Sequence, residues 1–258
     1  MSNFMKLVQN ENMKIYRRIR TWIMFGILIL MVLFFSILFL LGGGGSTTTA
    51  WDAAGQLSFL FYMVTIFASI VAADIVAGEF TWGTIKLLLV RPWTRTKVLA
   101  SKLLALLLFT LIITTLFFAS TLLVSFAMYP VKTLMMFSDH ASPFAYLLED
   151  LLYRYIDLLV ITLFSFMIST VFRSNGIAIG LSMFILFTGG IFTMLFNPVR
   201  YPWAKYTLFI NMDLSQYRGG QEGVAGMTLG FSVTVLISYV LLFLLISWFM
   251  FKKRDVAA

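Results

Sequence analysis

Residues 80–102 read FTWGTIKLLLVRPWTRTKVLASK, which places Lys86, Arg91, Arg95, Lys97 and Lys102 between two long apolar runs. A helix needs about 20 mostly apolar residues to cross the hydrocarbon core of a bilayer. The runs on either side are that long, so the basic stretch reads as a connector between two membrane helices. Four further runs pass the same test, and together they predict spans at 22–41, 57–77, 98–129, 155–172, 176–196 and 229–251. The third is longer than a perpendicular crossing requires, which implies tilt or projection beyond the bilayer.

Composition leads to the same architecture. Of 258 residues, 60% are hydrophobic and 12% charged, against about 25% charged in an ordinary soluble domain. The 27 Phe and 15 Met are spread over nearly the whole length, so the chain reads as a single all-α transmembrane domain over 1–258. An amphipathic amino-terminal helix (1–21) precedes a six-helix bundle (22–251) and a short basic tail (252–258). The start is polar and basic and the first apolar run is long enough to span, so an uncleaved first helix is expected instead of a signal peptide. The net charge of +8 does not indicate nucleic acid, because the basic residues punctuate apolar spans and do not gather on one solvated face. With no cysteine, disulfides, thiol nucleophiles and thiolate metal sites are excluded.

Basic residues near helix ends stay on the cytoplasmic side. In a six-span reading, Lys6, Lys14, Arg17, Arg18, Arg20, the connector cations, Arg173, Lys252, Lys253 and Arg254 share one side. Of the 19 Lys and Arg, only Lys132, Arg154, Arg200, Lys205 and Arg218 fall on the other. Both termini are therefore expected in the cytoplasm. At the amino terminus Phe4, Leu7, Val8, Ile15, Ile19 and Trp22 recur at helical spacing opposite Lys6, Lys14, Arg17, Arg18 and Arg20, the pattern of a helix lying in the membrane interface; Glu11 interrupts the apolar stripe. On the outer side, GGGGSTTTAWDAAG (42–55) reads as a plain connector. Residues 197–227, with Pro198, Tyr201, Pro202, Trp203, Tyr206 and several glycines, predict a short helical or partly re-entrant segment before the sixth span.

The stretch ADIVAGEFTWGTIKLLLVRP (73–92) holds more than topology needs. It reads as a short helix with Ile75, Val76, Phe80 and Trp82 on its apolar side, then a glycine break and an apolar LLLV stopped at Arg91-Pro92, where proline disfavours a helical Arg91. With its acidic residue beside an aromatic (Glu79, Phe80), its Gly83-Thr84 pair, its apolar run, Pro92, and Arg95, Lys97 and Lys102 leading into the third span, it resembles the permease subunits of ABC-2 type transporters. The whole-chain layout resembles that family too. The resemblance implies a cytoplasmic coupling helix between spans 2 and 3 that docks on a separate ATP-binding subunit through Glu79, Phe80, Trp82, Gly83, Thr84, Arg91 and Arg95. It further implies two such ATPase subunits, which hold the ATP and Mg, a second permease, identical or paralogous, a surround of membrane lipid and a bacterial plasma-membrane location. In that family spans 2 and 5 line the route and spans 1 and 5 form much of the dimer contact. Thr65, Ser69, Gly176, Gly180, Ser182 and Thr188 are the corresponding candidates here, and the sparse polarity of these walls suits an amphipathic cargo such as an antimicrobial peptide or a lipid.

No cofactor is expected on this chain itself, because no G-x-x-x-x-G-K-[ST] loop is present to cradle phosphates. Charge at membrane depth is costly and marks a functional candidate. Asp157 has Arg154 three residues earlier on the same helix face, which predicts an intrahelical pair. Asp74 is expected hydrated or shaping the connector at the membrane surface. An intramembrane hydrolase is the enzyme alternative, since KLLLVRP is similar to a segment of some membrane phosphatases, but the one histidine, His140, lies in a loop without a second catalytic cluster. A channel or secondary transporter acting without an ATPase is the remaining alternative.

Overall fold

The computed structural model describes residues 2–42, 48–81, 93–131 and 142–253, and among these the regular structure is all helical. Helix α1 spans Ser2–Tyr16, α2 Ile19–Leu41, α3 Ala50–Leu57, α4 Phe61–Thr81, α5 Arg95–Met128, α6 Pro143–Phe172, α7 Asn175–Leu195, α8 Leu208–Met212 and α9 Leu229–Lys253. Six stretches are long and apolar enough to cross a membrane: α2, α3 continued by α4, α5, α6, α7 and α9. They run alternately up and down. One end of the bundle, the α1 end, gathers α1, the starts of α2, α5 and α7 and the finishes of α4, α6 and α9. Contacts across it include Arg95 donating to the Lys252 carbonyl at 3.2 Å and Asn175 donating to Asp74 at 2.7 Å.

Helix α4 is the central strut. In the most apolar stretch of α3–α4, 72% is buried inside the chain, against 11% for α7, so α4 faces protein and α7 faces outward along most of its surface. Small residues let α4 approach α6 closely. Ser165 donates to the Ser69 carbonyl at 2.9 Å. Ser169 donates to the Ala73 carbonyl at 2.5 Å and accepts from the Ala77 amide at 2.9 Å. One core cluster joins α1, α2, α4 and α5 through Leu7, Leu28, Val64 and Phe109. A second joins α6, α7, α8 and α9 through Leu163, Ala178, Leu208 and Phe243.

The helix limits depart from the sequence reading in three places. Ala50–Leu57 is helical where a plain connector was expected, because Thr49 and Asp52 form a reciprocal capping box that satisfies two otherwise orphaned amides. The segment from Ala73 to Thr81 continues α4 without a break, and the rest of the expected coupling helix, including Trp82, Gly83, Thr84 and Arg91, lies outside the described residues. Helix α6 begins at Pro143, about three turns before the predicted start at 155. Ser142 caps it, Pro143 occupies the first turn, and ion pairs neutralise Asp150. Between α7 and α9 the expected short helical segments are present as 3-10 turns at Pro202–Tyr206, Leu214–Gly220 and Val224–Gly226 around α8.

The serine contacts make a specific prediction. Ser169→Ala removes one bridging hydroxyl and should cost about 1 kcal/mol. Ser169→Leu forces bulk into the α4–α6 contact and should cost about 1–3 kcal/mol. Thermal unfolding in detergent ranks the two; equal melting temperatures would mean that this contact does not set the α4–α6 spacing.

Candidate functional site

At the α1 end, groups from α1 and α4 close around one lysine of α5. Lys102 on α5 is completely buried. Its Nζ lies 2.8 Å from Glu11 Oε2 on α1 and 2.7 Å from Glu79 Oε1 on α4, and it donates to the Ile75 carbonyl at 3.0 Å. The three donors of the ammonium thus have three acceptors. Lys14 reaches the same carboxylates from the open side, 2.6 Å from Glu11 Oε1 and 2.7 Å from Glu79 Oε1. Burial works against the charge on Lys14, but Glu11 and Glu79 together outweigh it and hold its ammonium above the ordinary lysine range. Lys14 therefore stays charged at neutral pH.

One turn back along α4, Asp74 is buried and paired with Arg18 and Arg20 at the α1–α2 turn, while Asn175 at the start of α7 donates to its other oxygen. It is thus a hub between elements and not a hydrated surface group. Gly78 makes room for it: a Cβ there would lie 2.9 Å from Asp74 Oδ1. Phe80, near the end of α4, sits under the Arg173 guanidinium at 4.3 Å from the ring centroid. Arg173 adopts a left-handed φ of 54°, which turns the chain from α6 into α7 within two residues. A cavity of about 880 Å³ opens beside these groups, with Leu7, Ile15, Val71 and Ile75 on its apolar side and Lys14, Arg18, Arg20, Asp74 and Glu79 on its polar side.

Toward the opposite end, a second cavity of about 590 Å³ lies between α4, α6, α7 and the segment after α7, and Thr65 and Asp157 are among its lining residues. Here the expected Arg154–Asp157 pair is replaced. Arg154 Nε binds Asp150 Oδ2 at 2.7 Å, four residues back along α6, and Arg218 binds the other Asp150 oxygen at 2.6 Å. Arg218 also donates to the Tyr146 hydroxyl at 2.5 Å and stacks over its ring at 4.2 Å. Spacing alone could not choose between the two aspartates; Arg218, remote in sequence, settles it by tying Asp150 to the 3-10 segment.

A family described as "Protein of unknown function (DUF2705)" matches residues 19–257. The chain belongs to this family. It is also similar to two proteins of Bacillus subtilis (strain 168). The "Uncharacterized protein YhcI" is 32% identical over 81% of this chain and 70% of that protein. The "Uncharacterized membrane protein YdbK" is 29% identical over 78% of this chain and 80% of that protein. With six spanning helices and a relative described as a membrane protein, this DUF2705 member is a multi-pass membrane protein. The match begins at Ile19, so Glu79 and Lys102 lie within the matched residues while α1, with Glu11 and Lys14, lies before them.

The remaining sequence candidates fall in different surroundings. Arg95 anchors the start of α5 to the end of α9. Ser69 is buried against α6. On α7, Ser182 is buried and donates to the Ala178 carbonyl at 2.7 Å, whereas Thr188 is half-buried and donates to the Phe184 carbonyl at 2.5 Å. An added Cβ at Gly176 or Gly180 meets nothing within 4 Å, so these glycines mediate no close helix contact within the described residues. Glu11 was visible only as a flaw in an amphipathic stripe; a buried cation 91 residues away explains it.

In this DUF2705 member, Lys102→Met leaves two enclosed carboxylates short of a cation and should cost about 3–5 kcal/mol. Adding Glu11→Gln and Glu79→Gln should recover most of that loss. Unfolding of the single and triple variants in detergent checks the pairing, and a Lys102→Met protein as stable as the parent would refute it.

Proposed function

We propose that the chain is the membrane-spanning permease subunit of an ABC-2 type exporter in a bacterial plasma membrane, with both termini cytoplasmic. On this reading it pairs with a second permease and with two separate ATP-binding subunits that hold ATP and Mg, and it moves an amphipathic cargo such as an antimicrobial peptide or a lipid. The observation that carries the proposal is the position of Glu79. The resemblance places this residue where the connector to the ATPase begins, and the same carboxylate is gripped by Lys102 of α5 and Lys14 of α1. Phe80 next to it is held under Arg173 at the α6–α7 turn.

The mechanism follows from stiffness. A displacement at the connector reaches α1, α4 and α5 through charged contacts with little slack and reaches α7 through Phe80 and Arg173. Closure of a soluble ATPase pair is then converted into a shear or tilt of packed helices. The exposed apolar face of α7, with Ile177, Phe184, Phe187 and Ile191, is where a second permease or lipid would lie. A channel or carrier working without an ATPase is the second reading, favoured by Asp157 beside a cavity within the spans.

Coexpression with an ATP-binding subunit tests the choice. Glu79→Gln and Phe80→Ala should lower permease-stimulated ATP hydrolysis by tenfold or more without lowering insertion into the membrane. Unchanged stimulation in both variants would remove the coupling role, and transport by the purified chain in liposomes without ATP would favour the carrier.

A further inference from the structure

Among the described residues, nothing around the cavity on the far side of the bundle completes its charge balance. Its wall carries Asp157 from α6 and Asp213 from the segment after α8. Asp213 is fixed in place by the Ser215 amide at 3.2 Å and hydroxyl at 2.5 Å. Asp157 is half-buried; its Oδ1 is sealed from solvent and has no hydrogen-bond partner among the described residues. The nearby cations are committed elsewhere, since Arg154 and Arg218 both hold Asp150. That cluster has one surplus positive charge and two carboxylates oppose it. With these five groups ionised, the described residues leave one net negative charge, which one monovalent cation would cancel.

The rest of the lining decides what kind of cation fits. Among the described residues no three acidic or histidine side chains gather as a metal-binding set, and a hard metal ion would require six or more oxygen ligands. Instead, Tyr62, Tyr153, Phe209 and Ile161 line the same cavity. Aromatic faces attract organic cations, the more strongly where water is excluded. A volume of about 590 Å³ is that of a drug-sized ligand site.

We infer that this cavity binds a lipophilic monovalent organic cation, with Asp157 as its counter-ion and the aromatic wall around its apolar body. The site is built within one chain and does not depend on an ATPase partner. It can therefore fail while the permease reading stands, or hold while that reading fails.

The test uses the full chain in nanodiscs of neutral lipid, radiolabelled tetraphenylphosphonium as probe, and protein-free nanodiscs as the blank. Saturable binding is expected, weakened at least tenfold in Asp157→Asn and less strongly in Asp213→Asn. The uncharged triphenylphosphine oxide should compete at least tenfold more weakly than unlabelled probe. An independent variant is Gly190→Phe: Gly190 lines the cavity, a Cβ there meets nothing within 4 Å, and the added ring should block binding while Asp157 is untouched. Binding that is unsaturable, equal in Asp157→Asn and the parent, or displaced equally well by the uncharged compound would overturn the inference. If Asp157→Asn does not fold, the competition and Gly190→Phe results decide it alone.

Discussion

A lysine with no access to solvent is an expensive object in a membrane protein, and the α1 end is organised around making one tolerable. Removing an ammonium from water costs several kcal/mol even after the surroundings relax, so Lys102 requires both Glu11 and Glu79 in good geometry. Those partners lie on different helices, and the requirement fixes α1, α4 and α5 relative to one another. Apolar packing could not do this alone, because lipid tails solvate a leucine about as well as a neighbouring helix does. Ser165 and Ser169 play the corresponding part between α4 and α6. The helix is thus registered by charge on one side and by hydroxyls on the other.

The two ends of the bundle use charge in opposite ways. At the α1 end, Lys102, Lys14, Asp74, Arg18 and Arg20 are locked to partners on other elements, an arrangement suited to transmitting force. Toward the other end, Asp150 takes up both nearby arginines and leaves Asp157 lining a cavity. The first arrangement resists change and the second invites a ligand.

The six spans were legible in the sequence because the bilayer imposes a length that can be counted. The finer limits depended on local chemistry that hydropathy does not register. The Thr49–Asp52 capping box is a spacing signal in the sequence, but the run of glycines before it is the stronger turn signal and masks it. The early start of α6 followed from Ser142-Pro143 and from neutralisation of Asp150 by a residue 68 positions away, which no window can detect. The partner of Arg154 depends on the same remote residue. Glu79 stands out in the sequence beside Phe80, but its ion pairs, and the meaning of Glu11 and Lys102, emerge only when three distant segments are brought together.

The separation of Glu11 from Lys102 also bears on how the chain is assembled. Glu11 leaves the ribosome 91 residues before its buried partner. At typical synthesis rates of about 5–20 residues per second, that interval is on the order of ten seconds. Throughout it, α1 has its carboxylate without the cation that later encloses it, and must wait in water or at the lipid surface while the first two spans insert. Lys102, in turn, can enter the bundle as an ion only if α1 and the end of α4 are there to receive it. Helix α1 is thus made before α5 but reaches its final contacts only once α5 and the end of α4 are in place.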